Sequence, residues 1–539
     1  MISRKSTILL FVILIFGLVE MCAAGSTLIF GMALDVDQLD PGDTNINQVV
    51  SNIFEGLVRF KEGTTDIEPC LATSWEISEN GKEITFQLRR DITFHDGTDF
   101  NADAVIFSFA RQYDPNHPYH QYGNWTMWEY LFHDIERIEK IDDYRVKFFL
   151  KKPNVSILTS LAHHRVSIVS PANARKYQED AFKQPCGTGP FKFVEWVKNG
   201  HVTLEVNTGY WQEKASLDTL IFKVIPDPSV RLLALEIGEI HGMEYPNPVD
   251  LERIKTNKEL KLMSRPGFNV GFLAINTGYG YVDKNKNGIR DINSENIVKT
   301  PGYFEPLTKK NVRKAINMAI DKQAIVNNLY MGAAIKAKNG MPPFMLGYND
   351  DIDDYPYDPK RAKALLIESG YPDGFELALH VMPVPRPYML DPLKVAEAIQ
   401  SYLDVIGIKV NIYQIDWSNY LKETRDGKHQ ICQLGWIGDN GDPDNFMNVY
   451  NSNRASIGMA QNRAFYMNDR IDKLLYLALT TYNNQQRAKY YKEIQEIIHE
   501  DAAWVYLFHS TQNVVFKKNI KGFVLNPLNM LFFYPVYIE

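Results

Sequence analysis

Two short runs carry residue types able to do chemistry at a fixed spacing. Gln433 to Phe446 reads QLGWIGDNGDPDNF, where a strand ending in Gly435-Trp436 opens into a loop holding Asp439, Asp442 and Asp444 among glycine and asparagine. An aromatic beside a carboxylate at a strand end can hold a cationic amine. Carboxylates in such a turn can equally bind their own backbone. Upstream, Met382 to Leu390 reads MPVPRPYML and sets Arg386 between two prolines on a stiff, extended segment. That segment is either a presenting arm for a guanidinium or a surface polyproline-like linker.

Other candidates are weaker. Asp283 to Glu295 (DKNKNGIRDINSE) places Asp283, Asn285, Asn287, Gly288 and Asp291 at the first, third, fifth, sixth and ninth positions of a calcium loop. The twelfth is Ser294, and the expected acid comes one residue late as Glu295. A structural Ca²⁺ site and a solvated Asn/Asp/Gly loop both fit; no other cofactor is implied. His163-His164 suggests metal, but adjacent residues on one strand face opposite ways, so one buried and one exposed histidine is expected. G-x-S-x-G, H-E-x-x-H, Walker and Rossmann signatures are absent, and no carboxylate pair stands out for glycoside chemistry. The residues alone therefore show no obvious active site and deliver no function. A secreted hydrolase would betray itself by turnover, and an adhesive or chaperone-like surface by affinity for unfolded protein.

The elements that must position these residues are readable. The chain has 539 residues, 45% hydrophobic and 23% charged, enough for about three to four domains. Lys+Arg 58 against Asp+Glu 65 gives a net charge of −7 without a basic tail, which excludes an electrostatic nucleic-acid footprint. Arg4 and Lys5, the apolar run Ile8 to Val19 and Cys22-Ala23-Ala24 form a signal peptide over 1–24, cleaved near Ala24. An uncleaved anchor or a lipidated Cys22 is the alternative. Cleavage removes Arg4, Lys5 and Glu20, which moves the net charge to −8. Of the remaining Cys70, Cys186 and Cys432, the first two sit in Pro-Cys contexts and are candidates for a disulfide in an oxidising compartment.

The first third reads as strands, with a hairpin of Trp75/Ile77 and Ile84/Phe86/Leu88 about Asn80-Gly81 and a helix capped by Asn101. From Thr308 helices and strands alternate. Val312, Ala315, Ile316, Ala319 and Ile320 form one helix face that Gly332 would end. Asp391-Pro392 starts a helix with Val395, Ile399 and Leu403 buried, Gly407 stops it, and Ile408/Val410/Ile412 follow as a strand. A helix near Ser418–Asp426, a strand near Gln430–Trp436 and a helical stretch Asn468–His499 complete an α/β half joined to a more β-rich one.

Beyond these patterns, the chain resembles the periplasmic solute-binding proteins of peptide-type ABC importers, family 5, and within them the dipeptide-binding branch. The resemblance rests on LDP (39–41), FEGLVRF (54–60), LATSWEISENGKEITFQLRRDITFHDG (71–97), GTGPF (187–191), DPSVR (227–231), YPNP (245–248), RPGFNVGFLAINT (265–277), PPFMLGYND, YDPKRAKALL, PVPRPY and GWIGDNGDPDNF. It runs from about residue 26 to the C-terminus. The polar insertion 279–306 and Cys70/Cys186 depart from the pattern.

The resemblance implies an α/β, two-lobed periplasmic-binding-protein-like fold (class II, cluster C type) with an extra subdomain in the larger lobe. Lobe I would take 25–268 plus 512–539 and lobe II 269–511, hinged near Arg265–Val270 and His509–Asn513. It implies that Asp439 pairs with a peptide α-ammonium and Arg386 with the terminal carboxylate, both buried. Tyr388 lies beside the arginine, Gly435 and Ile437 offer backbone to the ligand as an added strand, and Trp436 borders the pocket. The expected partners are a dipeptide or short peptide and an inner-membrane ABC permease, with the binding protein a periplasmic monomer. Relatives that bind longer peptides, glutathione, haem or nickel chelates keep another ligand on this fold open.

Overall fold

The computed structural model describes residues 25–44, 47–125, 127–284 and 296–539. The expected leader 1–24 with Cys22 lies outside the described residues. So do Asn285, Asn287, Gly288, Asp291, Ser294 and Glu295 of the calcium-type loop, of which only Asp283 and Lys284 are described.

Among the described residues, twelve strands form one sheet. Its spine runs Ile408–Gln414, Phe375–Val381, Ile431–Ile437, Asn269–Ile275, Trp504–Lys517, Gly242–Glu244, Thr27–Met32, Thr219–Val224, His201–Val206, Phe191–Val197. The long strand Trp504–Lys517 belongs to both halves. Its first part pairs with Asn269–Ile275, from Ala274↔Trp504 to Gly271↔Phe508. Its second part pairs with Leu260–Pro266, from Pro266↔Thr511 to Leu260↔Lys517. Gly267 and Phe268 carry the chain between the two partners. A Cβ on Gly267 would lie 2.2 Å from Asn269 Nδ2 and 2.4 Å from the Ser510 carbonyl, so glycine alone fits this joint.

On one side of the seam the core is Leu28, Phe30, Leu220, Phe222, Val202, Leu204, Phe516 and Phe533. On the other, helix Pro392–Val405 lays Val395, Ile399 and Leu403 against the sheet, as its apolar spacing requires. A separate four-stranded sheet (Ala72–Ile77, Glu83–Leu88, Arg145–Leu150, Ile135–Asp142) packs on helix Ala102–Tyr113 through Phe86, Phe109 and Phe148.

Local expectations are mostly met. Trp75↔Phe86 and Ile77↔Ile84 form the hairpin, Asn101 Oδ1 caps Ala104 N at 3.2 Å, and Asp391 caps Lys394 N. The helix carrying Val312 instead stops at Ala319, and Asp321 caps a new turn at Lys322–Ile325, so Gly332 does not terminate it. The stretch Asn468–His499 is two helices, Asp469–Thr480 and Asn484–Asp501.

The disulfide expectation is corrected. Cys70, Cys186 and Cys432 are all free and buried. The Cys70 thiol lies 3.7 Å from Glu55 Oε1, whereas Cys186 lies beside Asp96 and Ser170, and burial pushes the Cys186 thiol up to about 12. Alkylation of the chain lacking 1–24 under denaturing, non-reducing conditions should therefore label three cysteines; a Cys70–Cys186 bond would leave one.

Candidate functional site

The strand Ile431–Ile437 has a full partner on one side only. It pairs with Asn269–Ile275 along its whole length, but with Phe375–Val381 only at Leu379↔Ile431 and His380↔Cys432. Gly438 N donates to the Phe268 carbonyl at 2.8 Å. That bond makes Ile437↔Asn269, and two residues on Gly435↔Gly271, the non-hydrogen-bonded pairs of an antiparallel ladder. The backbone N–H and C=O of Gly435 and Ile437 consequently point to the open edge. Ile437 is 39% exposed there. Tyr388 sits over the glycine pair: a Cβ on Gly435 would come within 2.1 Å of its ring, and one on Gly271 within 2.6 Å of its carbonyl.

Beyond this strand, the three loop aspartates separate. Asp442 accepts from Arg487 Nη2 at 2.7 and 2.9 Å, both side chains buried. Asp442 Oδ1 also accepts from Asp444 N, and Asn440 Oδ1 from Asp442 N, the self-binding turn that such a sequence favours. Asp444 is lifted to about 7 by burial and by Asp442. Asp439 has no salt-bridge partner within contact distance among the described residues; its carboxylate is met by Asn445 Nδ2 at 3.5 Å. Burial raises Asp439 to about 6, opposed by Asn445 and by the more distant Arg165 charge. Asn445 Oδ1 also accepts from Trp436 Nε1 at 2.9 Å and from Asp439 N at 3.2 Å, so one amide fixes indole and carboxylate together.

The arginine segment differs from expectation. It is not extended: Arg386 N and O exchange hydrogen bonds with Met389 at 3.0 and 2.8 Å in a tight turn. Pro385 and Pro387 preset that bend, and the turn throws the Arg386 side chain outward. The guanidinium is exposed, not buried, and stacks 4.9 Å above Trp417 beside the Tyr388 phenol. The Pro387 carbonyl accepts from Ser510 Oγ, tying the turn to the shared strand. The loops of Arg386 and Asp439 both leave C-terminal ends of parallel strands and so emerge on one edge of the sheet.

His163-His164 also requires correction. His164–Val166 is a 3₁₀ turn, not a strand, and both histidines are buried with rings 4.3 Å apart. Burial holds His163 at about 3 and His164 well below its ordinary range. Among the described residues no cluster of three or more His, Cys, Asp or Glu could hold a metal. Sequence reasoning missed Asn445, Arg487, Trp417 and Arg165; only Asn445 lay inside a motif that had been singled out.

The family model for "Bacterial extracellular solute-binding proteins, family 5 Middle" matches residues 66–457. The chain belongs to the family 5 solute-binding proteins. The dipeptide-binding protein of Escherichia coli (strain K12) is 38% identical over 503 residues, covering 90% of this chain and 89% of that one. Heme-binding protein A of Haemophilus influenzae is 36% identical, covering 96% and 92%. The ABC transporter-associated periplasmic binding protein DppA from Helicobacter pylori, in complex with peptide STSA, superposes with TM-score 0.77 at 34% identity, covering 96% and 98%. Membership makes this family 5 protein a solute binder, not an enzyme, with the family's two-lobed α/β fold. No helix among its described residues is long and apolar enough to cross a membrane.

Breaking the pair that shapes the Asp439 loop should be costly. Arg487→Met is expected to lose about 3–5 kcal/mol in urea unfolding, the range for orphaning a buried ion. Adding Asp442→Asn should recover much of that loss.

Proposed function

We propose that this protein captures dipeptides or similarly short peptides and delivers them to an ABC importer permease. The observation that carries the reading is the open edge of Ile431–Ile437, with backbone groups of Gly435 and Ile437 directed outward and an under-compensated carboxylate, Asp439, just past its end. An extended peptide adds to such an edge through its backbone, which tolerates many side chains. Its α-ammonium supplies the positive charge that Asp439 lacks. In this reading Arg386, exposed on a neighbouring loop, takes the terminal carboxylate, with Tyr388 beside it and Trp436 at the border. Charges at both ends of the ligand make length a criterion, since an unpaired end is penalised.

Lobes of 25–268 plus 512–539 and 269–511 would close about the seam where the shared strand changes partner, at Pro266–Gly271 and Phe508–Thr511. Closure of this kind sequesters ligand and presents one shape to a permease. Contacts such as Asn440 Nδ2 to Ser160 Oγ at 2.9 Å and Val155 N to Leu479 O at 3.0 Å would be remade as the lobes move. Support comes from relatives: one is a dipeptide-binding protein and another is in complex with the peptide STSA. Export through a leader at 1–24 to the periplasm belongs to the same reading.

Asp439→Asn should weaken dipeptide binding by about 2–5 kcal/mol in calorimetry, the loss typical of removing one partner of a desolvated charge pair. Unchanged affinity would remove the ammonium assignment. The pH dependence has a definite sign. Free Asp439 titrates at about 6, and a bound ammonium lowers that value, so binding releases a proton below this pH. Affinity should climb about tenfold per unit as pH rises towards 6, then stay level until the peptide amine deprotonates near about 8. Asp439→Asn should flatten the acid limb.

A further inference from the structure

Arg463 is an anomaly among the buried arginines. Arg111 is spent on Asp40 at 2.6 and 2.7 Å, Arg487 on Asp442, and Arg231 and Arg313 on backbone carbonyls. Arg463 is as deeply enclosed, with 6% of its surface exposed, yet its Nε and Nη1 have no hydrogen-bond partner. No carboxylate pairs with it among the described residues. Its backbone is held firmly: the Arg463 carbonyl accepts from His429 Nε2 at 2.7 Å, and the next carbonyl, Ala464, from Thr277 N at 2.8 Å.

The groups whose charge acts on the guanidinium are Cys432, Arg425, Tyr420 and Tyr388. Tyr420 has already committed its hydroxyl to the Gln433 carbonyl, and Cys432 is a buried neutral thiol. The positive charge thus has a neutral thiol and two tyrosines around it and the like charge of Arg425 acting on it, at a cost that an anion would relieve. The guanidinium is tied to the open edge by two groups: Cys432 belongs to the edge strand itself, and Tyr388, which interacts with both Arg463 and Arg386, lies over Gly435.

We infer that Arg463 forms the base of a second anion subsite behind Tyr388, which takes the carboxylate of an acidic side chain on the ligand's second residue. This inference rests on the peptide reading above, since the subsite is placed relative to a peptide whose carboxy end lies by Arg386. A planar guanidinium with free donors suits a carboxylate, and a neutral amide of the same shape cannot answer its charge. The subsite confers a preference within short peptides and leaves the Asp439 and Arg386 ends unchanged.

The test is calorimetric titration of the exported chain with Ala-Glu and Ala-Gln, and with Glu-Ala and Gln-Ala as position controls. The wild-type protein should bind Ala-Glu at least about tenfold more tightly than Ala-Gln, the gain of one charge-assisted contact, with a smaller ratio for the reversed pair. Arg463→Met should bring the Ala-Glu to Ala-Gln ratio close to one, and Arg463→Lys should restore part of it. Equal wild-type affinities for Ala-Glu and Ala-Gln, a preference confined to Glu-Ala, or a ratio surviving in Arg463→Met would overturn the subsite. The wild-type arms decide the matter even if a variant does not fold. Failure of all four peptides to bind would instead refute the peptide reading itself.

Discussion

Asp439 occupies a setting that penalises its own charge, and much of the surrounding structure exists to hold it there. Burial lifts it to about 6, while the compensating partners are one amide and a distant arginine. The amide of Asn445 is held by the same loop that Asp442 and Arg487 brace, and Gly438 fastens that loop to Phe268 at the joint between the two halves. A carboxylate so placed gains most from a cation brought by a ligand. That gain is the physical basis for selective capture.

The second constraint is the strand Trp504–Lys517, which changes partners midway. Gly267 is confined there by Asn269 and Ser510, and the Arg386 turn hangs from the same Ser510. Binding edge, carboxylate loop and arginine turn therefore all converge on one joint. A peptide laid along Gly435 and Ile437 would touch elements whose geometry depends on the angle between the halves, which couples occupancy to closure.

Periodicity and capping made the Pro392–Val405 helix, the Trp75/Phe86 hairpin and the Asn101 cap legible, because each depends on residues close in sequence. The loop of Asp439 was legible as a motif, and its three aspartates were not separable, since Arg487 and Arg165 reach them from distant segments. The Pro-Arg-Pro run was misjudged as extended because two flanking prolines allow both a polyproline stretch and a bend; the Arg386–Met389 pairing decides between them. The histidine pair was misplaced for a related reason. Strand alternation was assumed where a 3₁₀ turn puts both rings inside. Arg463 carried no signal at all, as an orphaned donor becomes visible only once its neighbours are known.

The central claim is that a free peptide amine completes the charge that Asp439 lacks at the end of an open strand edge. Calorimetric titration with Ala-Leu and with N-acetyl-Ala-Leu is the test, because acetylation removes the ammonium charge and adds only one acetyl group. The account predicts that Ala-Leu binds and that acetylation weakens it by about a hundredfold or more, as expected when a desolvated carboxylate loses its counter-charge. Equal affinities for the two peptides would contradict it.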